Sequence, residues 1–153
     1  MRMFCTAAFL LLFLSSSGLF AQKDAKTEVR AVITRFFEGM EKGDTVLLKS
    51  TCTDSPILQT FMADKAGNMR VLTEDFRDFV AFVGAPHQDT YLEKIRFGAV
   101  QVEASLASVW TPYTFYLNGK VLHCGTNSFQ LVKTAAGWKI QYIIDTRRKS
   151  GCP

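Results

Sequence analysis

The chain has 153 residues, with 18 Lys or Arg against 14 Asp or Glu and a formal net charge of +4. That length suits a single domain with a core of its own, and so small a basic excess gives no electrostatic footprint for a nucleic-acid partner.

Residues 1–21 read as a cleaved export leader. Arg2 gives a short positive start, residues 7–14 are apolar, and residues 15–21 end in small side chains before Gln22. The apolar run is shorter than the roughly 20 residues that a bilayer-spanning helix needs. Cys5 precedes that run and no cysteine follows it directly, which argues against a lipid anchor. The expectation is a mature domain over residues 22–153, exported to the periplasm or beyond, with no membrane anchor after cleavage. Without Arg2 it carries 17 basic against 14 acidic residues. The run Arg147-Arg148-Lys149 reads as a solvated end.

In chain order, Asp24 or Thr27 is placed to cap a helix running to about Lys42. Val29, Val32, Ile33, Phe36, Phe37 and Met40 form one stripe along it. Gly43 ends that helix and Asp44 caps a short second one over 46–50, which Pro56 closes off. Residues 57–62 and 69–72 suggest a small hairpin. Thr73 is placed to cap a third helix buried through Phe76, Phe79, Val80 and Val83. Residues 91–102 read as one strand with a bulge at Gly98.

The last third reads as three antiparallel strands. Asn118-Gly119 fits a two-residue hairpin turn, and residues 134–137 make the next turn. Turn length sets register. Leu117 then faces Lys120, Tyr116 faces Val121, Trp110 faces Asn127, Lys133 faces Trp138, and Phe129 faces Tyr142. One face collects Trp110, Tyr116, His123, Asn127, Phe129, Leu131, Ile140 and Tyr142. The other collects Val109, Thr111, Tyr113, Phe115, Asp145 and Arg147, unless a bulge exchanges the faces.

Three cysteines remain in the mature chain, Cys52, Cys124 and Cys152. An odd number allows at most one internal pair, and an exported protein meets an oxidising compartment. Cys124 lies opposite Arg147 in this register, and Gly151 could turn the tail back, so Cys124–Cys152 is the expected pair. Three free thiols are the alternative.

Helices precede the main run of strands, which predicts an α+β fold with a curved antiparallel sheet wrapped around the N-terminal helix. Residues 33–44 (Ile33-Thr34-Arg35-Phe36-Phe37-Glu38-Gly39-Met40-Glu41-Lys42-Gly43-Asp44) and the strand start Gly137-Trp138-Lys139-Ile140 carry a resemblance. With them the chain resembles the nuclear transport factor 2-like superfamily, the cone-shaped fold of ketosteroid isomerases and polyketide cyclases, and within it exported bacterial members of unassigned function. The resemblance implies an internal cavity, a reaction class of proton transfer next to a carbonyl, and a homodimer through the sheet. It supplies no catalytic residue by position. The crowding of Val109, Thr111, Tyr113 and Phe115 on the face away from the first helix fits such a dimer, because exposed apolar groups there need a cover.

No glycine-rich phosphate loop, Cys-x-x-Cys, His-Glu-x-x-His or Gly-x-Ser-x-Gly motif occurs, so nothing calls for a cofactor. Two histidines, His87 and His123, rule out a three-histidine metal site, and no spacing supports another metal site. The expected function is an exported domain binding a small apolar or aromatic ligand among Trp110, Tyr116, His123, Asn127, Phe36, Phe37 and Met40. The alternatives are an isomerase-, cyclase- or dehydratase-type enzyme using His123 or Asp145 as acid or base, or an interaction scaffold whose interior is filled by its own side chains.

Overall fold

The computed structural model describes residues 16–153, with side chains from Asp24 onward. The apolar stretch of the expected leader lies outside the described residues. Helix α1 spans Ser16–Lys42 and α2 spans Thr45–Ser50. Strands β1 (Cys52–Ala63) and β2 (Met69–Glu74) lead to α3 (Phe76–Gly84). Strands β3 (Tyr91–Ile95), β4 (Val100–Glu103), β5 (Leu106–Leu117), β6 (Lys120–Thr134) and β7 (Gly137–Arg148) complete the chain.

Helix α1 begins well before Asp24 or Thr27, because the residues around them are helix formers with no breaker among them. It ends at Gly43, whose φ of +67° suits glycine. Asp44 caps α2 by accepting from the N–H groups of Val46 and Leu47. The cap of α3 is Asp75, which accepts from Arg77 N at 2.7 Å, and Thr73 sits in β2 instead. A β-branched residue at the end of a paired strand has more to gain from the ladder than from capping.

The sheet is mixed, in the order β2-β1-β7-β6-β5-β3, with β4 also pairing β5. The wholly antiparallel sheet is corrected by β1, which runs parallel to β7. β1 is also longer than expected and contains Pro56, at an irregularity between Cys52 and Ile57 where the ladder needs no donor from it. The strand expected over 91–102 breaks into β3 and β4 around Gly98, where a Cβ would lie 2.9 Å from the Trp110 carbonyl oxygen.

The turn at Asn118-Gly119 pairs Leu117 with Lys120 and Tyr116 with Val121, both residues having positive φ as a tight hairpin turn requires. Beyond that point two bulges redirect the side chains. Leu122 is extra in β6, so Thr111 rather than Trp110 faces Asn127. Gln141 is extra in β7, so Phe129 faces Ile143 rather than Tyr142. The inward face of β5 is therefore Ala107, Val109, Thr111 and Tyr113, all buried, whereas Trp110 is 52% exposed. The crowded face that suggested a dimer cover is thus the inner one.

Helix α1 lies across this inner face. Val29 and Ile33 are fully buried with Phe129, Leu131 and Ile140. Phe36 and Phe37 meet the Phe129 ring edge-on at 6.2 and 6.0 Å, and Phe36 stacks on Phe79 of α3 at 6.1 Å. Each such side chain withdrawn from water contributes on the order of 1.5–3 kcal/mol. Cys124 and Cys152 are joined by a disulfide across 5.6 Å between Cα atoms, which pins the tail to β6. Cys52 is buried as a free thiol, pushed up to about 11 by that burial.

Candidate functional site

Beyond Phe129 the inner face stops being filled. A cavity of about 420 Å³ opens between α1, α3 and the sheet. Phe36, Phe37 and Met40 of α1 form one wall, and Phe79 and Phe82 of α3 extend it. The sheet supplies Tyr91, Tyr113, Phe115, Phe129 and Ile143. The reading of a domain packed solid by its own side chains does not fit this volume.

The polar groups gather on β7, β6 and β3. The bulge at Gln141 turns Asp145 and Arg147 inward, onto the face of Ile143. Asp145 is 7% exposed and receives three donors. Thr60 Oγ1 donates to Oδ1 at 2.6 Å, while Tyr113 Oη and Arg147 Nε donate to Oδ2 at 2.8 and 2.9 Å. The Tyr113 hydroxyl also lies 3.0 Å from the Thr146 carbonyl oxygen, so its one proton serves two acceptors. Burial, reinforced by Asp145, pushes the Tyr113 phenol well above its usual range, and it stays a donor.

Room for that Tyr113 ring comes from Gly125, between His123 and Asn127 on β6. A Cβ there would lie 1.7 Å from the Thr146 carbonyl oxygen and 2.9 Å from the Tyr113 ring. Any side chain at 125 would drive β6 and β7 apart where the site is assembled.

Glu93 projects from β3 into the same cavity, between Tyr91 and Ile95 on one face of the strand. Its Oε1 accepts from Asn127 Nδ2 at 2.8 Å. Some of its surface remains accessible, but that surface lines the cavity. Burial pushes the carboxyl up to about 7; Asp145 adds to the rise, and the Asn127 hydrogen bond and Arg147 oppose it. Glu74, at the end of β2, is also raised, chiefly by burial.

His123 is sandwiched by its neighbours on β5. It stacks on Phe115 at 4.8 Å and meets Tyr113 edge-on at 5.7 Å. Burial, and then Arg147, holds it below the ordinary histidine value, so it is neutral near pH 7. Among the described residues it makes no hydrogen bond to protein, which leaves its ring nitrogens to the cavity.

Of the residues expected at a site, Phe36, Phe37, Met40, His123, Asn127 and Asp145 line this one cavity. Trp110 and Tyr116 do not. The bulge at Leu122 puts Trp110 on the outer face, and Tyr116 lies outside the cavity with the Lys94 ammonium 5.1 Å from its ring centre. The residue that sequence reasoning missed is Glu93. Its signal was present as an acid alternating with Tyr91 and Ile95 on an otherwise apolar strand face.

Chemically, the site offers a carboxyl that titrates near neutrality, a second carboxylate fixed by three donors, a neutral imidazole and a guanidinium, all against aromatic walls. Such a set can orient a polar head group and can exchange a proton with it.

No protein-family model and no curated protein matches the chain. Solved structures do match in fold. A protein with a cystatin-like fold from Novosphingobium aromaticivorans, described as NTF2-like, aligns with a TM-score of 0.67 and 14% identity, over 92% of this chain and 95% of its own. An NTF2-like protein of unknown function from Shewanella baltica aligns with a TM-score of 0.62 and 15% identity, over 86% of this chain and 97% of its own. A candidate dehydratase of the NTF2-like family from Streptomyces avermitilis aligns with a TM-score of 0.62 and 17% identity, over 84% and 99%. With its long N-terminal helix laid across a curved, unclosed mixed sheet, the chain has the nuclear transport factor 2-like fold.

Proposed function

We propose that the protein is an exported small-molecule-binding domain whose ligand has an apolar body and a polar head. The cavity itself carries this reading. Its volume of about 420 Å³ lies in the range of small-molecule sites, with aromatic walls and polar groups converging at Glu93, Asn127 and Asp145. Export is supported by the leader pattern of residues 1–21 and by a disulfide of the kind that persists in oxidising compartments. If two copies pair through the sheet, the outer face around Trp110 supplies the contact.

A specific observation favours a second reading. Glu93 titrates near 7, where a general base or acid is most effective, and the Arg147 N–H groups not given to Asp145 are the donors on the same cavity for a developing negative charge. Together with the fold shared with a candidate dehydratase, this supports proton-transfer chemistry of the isomerase or dehydratase kind.

The test is native mass spectrometry of the protein purified from the exported fraction, followed by a thermal-shift screen of small aromatic compounds. A bound small molecule released on denaturation, or hits lost in Asn127→Ala with folding retained, is the expected result. An empty protein with no hits would overturn the binding reading.

A further inference from the structure

The ligand class can be narrowed from the charges of the cavity; this step rests on the binding reading above. We propose that the cavity takes an apolar cation, namely a protonated amine or a quaternary ammonium group on a small hydrophobic body.

Three carboxyl groups, Glu74, Glu93 and Asp145, line the cavity against one guanidinium, Arg147. That guanidinium already gives its Nε–H to Asp145 at 2.9 Å. Among the described residues Glu74 has no hydrogen-bond or ion-pair partner through its side chain, and the polar partner of Glu93 is the neutral Asn127. The protein therefore sets the enclosed Glu93 and Asp145, with the exposed Glu74, around one shared cation, Arg147, which leaves negative charge in excess at the cavity. A buried charge without a partner is costly, and a bound cation would remove that cost.

The walls agree. A cation is attracted to the faces of aromatic rings, more strongly when water is excluded. Eight aromatic side chains line the cavity. Phe37, Phe79, Phe82, Tyr91 and Phe115 also border an adjoining recess of about 40 Å³, and Glu93 borders both spaces. An anion at the remaining N–H groups of Arg147 would instead lie beside Asp145 and Glu93.

Binding should be coupled to protonation. Glu93 faces Asp145 and Arg147 from β7, Tyr113 from β5 and Asn127 from β6. Glu41 of α1 and His87 of the loop before β3 border the same recess, and Glu74 and His123 line the cavity with it. A cation favours the charged form of Glu93, so affinity should rise with pH as that group ionises.

The test is calorimetry on the mature protein with three probes that share a benzyl body: benzyltrimethylammonium, its uncharged carbon isostere neopentylbenzene, and the anion phenylacetate. At about pH 8 the cation should bind about ten-fold or more tightly than the isostere, and phenylacetate more weakly than either. Lowering the pH to about 6 should weaken the cation alone. Glu93→Gln should cost the cation about ten-fold and leave the isostere unchanged, which also reports that the variant is folded. Equal binding of cation and isostere, or tighter binding of phenylacetate, would overturn the cation proposal and leave the binding reading standing. Binding of none of the three would overturn both.

Discussion

Strand β6 carries Leu131 and Phe129 at one end of the inner face and Asn127, Gly125 and His123 at the other. The first pair is fully buried against Val29, Ile33 and Ile140, with no polar atom to satisfy. The second group faces Glu93, Tyr113 and Asp145 across an open space. The same strand thus builds a closed apolar base and a polar, unfilled end. At the base the side chains are held by each other. At the open end they are held by hydrogen bonds, an ion pair and a disulfide, and their free surfaces are left to something else.

The largest expected effect lies at the base. Leu131→Ala should cost on the order of 2–5 kcal/mol in urea denaturation, since a filled core collapses poorly around a lost side chain. A cost under about 1 kcal/mol would mean that the base is not the stabilising half. The open end depends next on its covalent staple. Cys124→Ser with Cys152→Ser frees a tail that closes over a sequence separation of 28. That double variant should lose about 2–4 kcal/mol by the chain-entropy argument, and an unchanged urea midpoint would show the tail to be energetically idle.

A third prediction separates the two ends by pH. The Glu93 carboxyl is raised from 4.5 to about 7. The folded state therefore holds a proton that the unfolded state releases between those values. Stability from this group is present below the unfolded value and is lost as pH rises through the folded one. Glu93→Gln should match the parent at about pH 4 and exceed it by up to about 3 kcal/mol at about pH 8. A variant that tracks the parent at every pH would contradict the enclosure of Glu93. The smallest effect belongs to His123→Ala, which has no hydrogen bond to protein to lose. It should shift stability by about 1 kcal/mol or less, through its ring contacts with Phe115 and Tyr113, while weakening any ligand. A large loss of folding would make His123 a packing residue.

Much of the base was legible in the sequence. The stripe from Val29 to Met40 has helical period, and Asn118-Gly119 set the first hairpin with Leu117 opposite Lys120. The open end was legible only in part, because it is made by bulges. Nothing in the strand propensity of Leu122 or Gln141 marks either as an extra residue, and a single extra residue exchanges every side chain beyond it. That exchange sends Trp110 to the outer face and brings Asp145 and Arg147 inside. Glu93 could have been found by its alternation with Tyr91 and Ile95. Its partner Asn127 lies 34 residues away, and only the assembled sheet brings the two together.

The central claim is that the open end is a desolvated site built around Glu93. The most direct measurement is an NMR pH titration of the Glu93 side-chain carboxyl carbon in residues 22–153, with Glu93→Gln to assign the signal. The account predicts a midpoint near 7, moving lower when benzyltrimethylammonium is bound. A midpoint near the ordinary 4.5, indifferent to that cation, would contradict it.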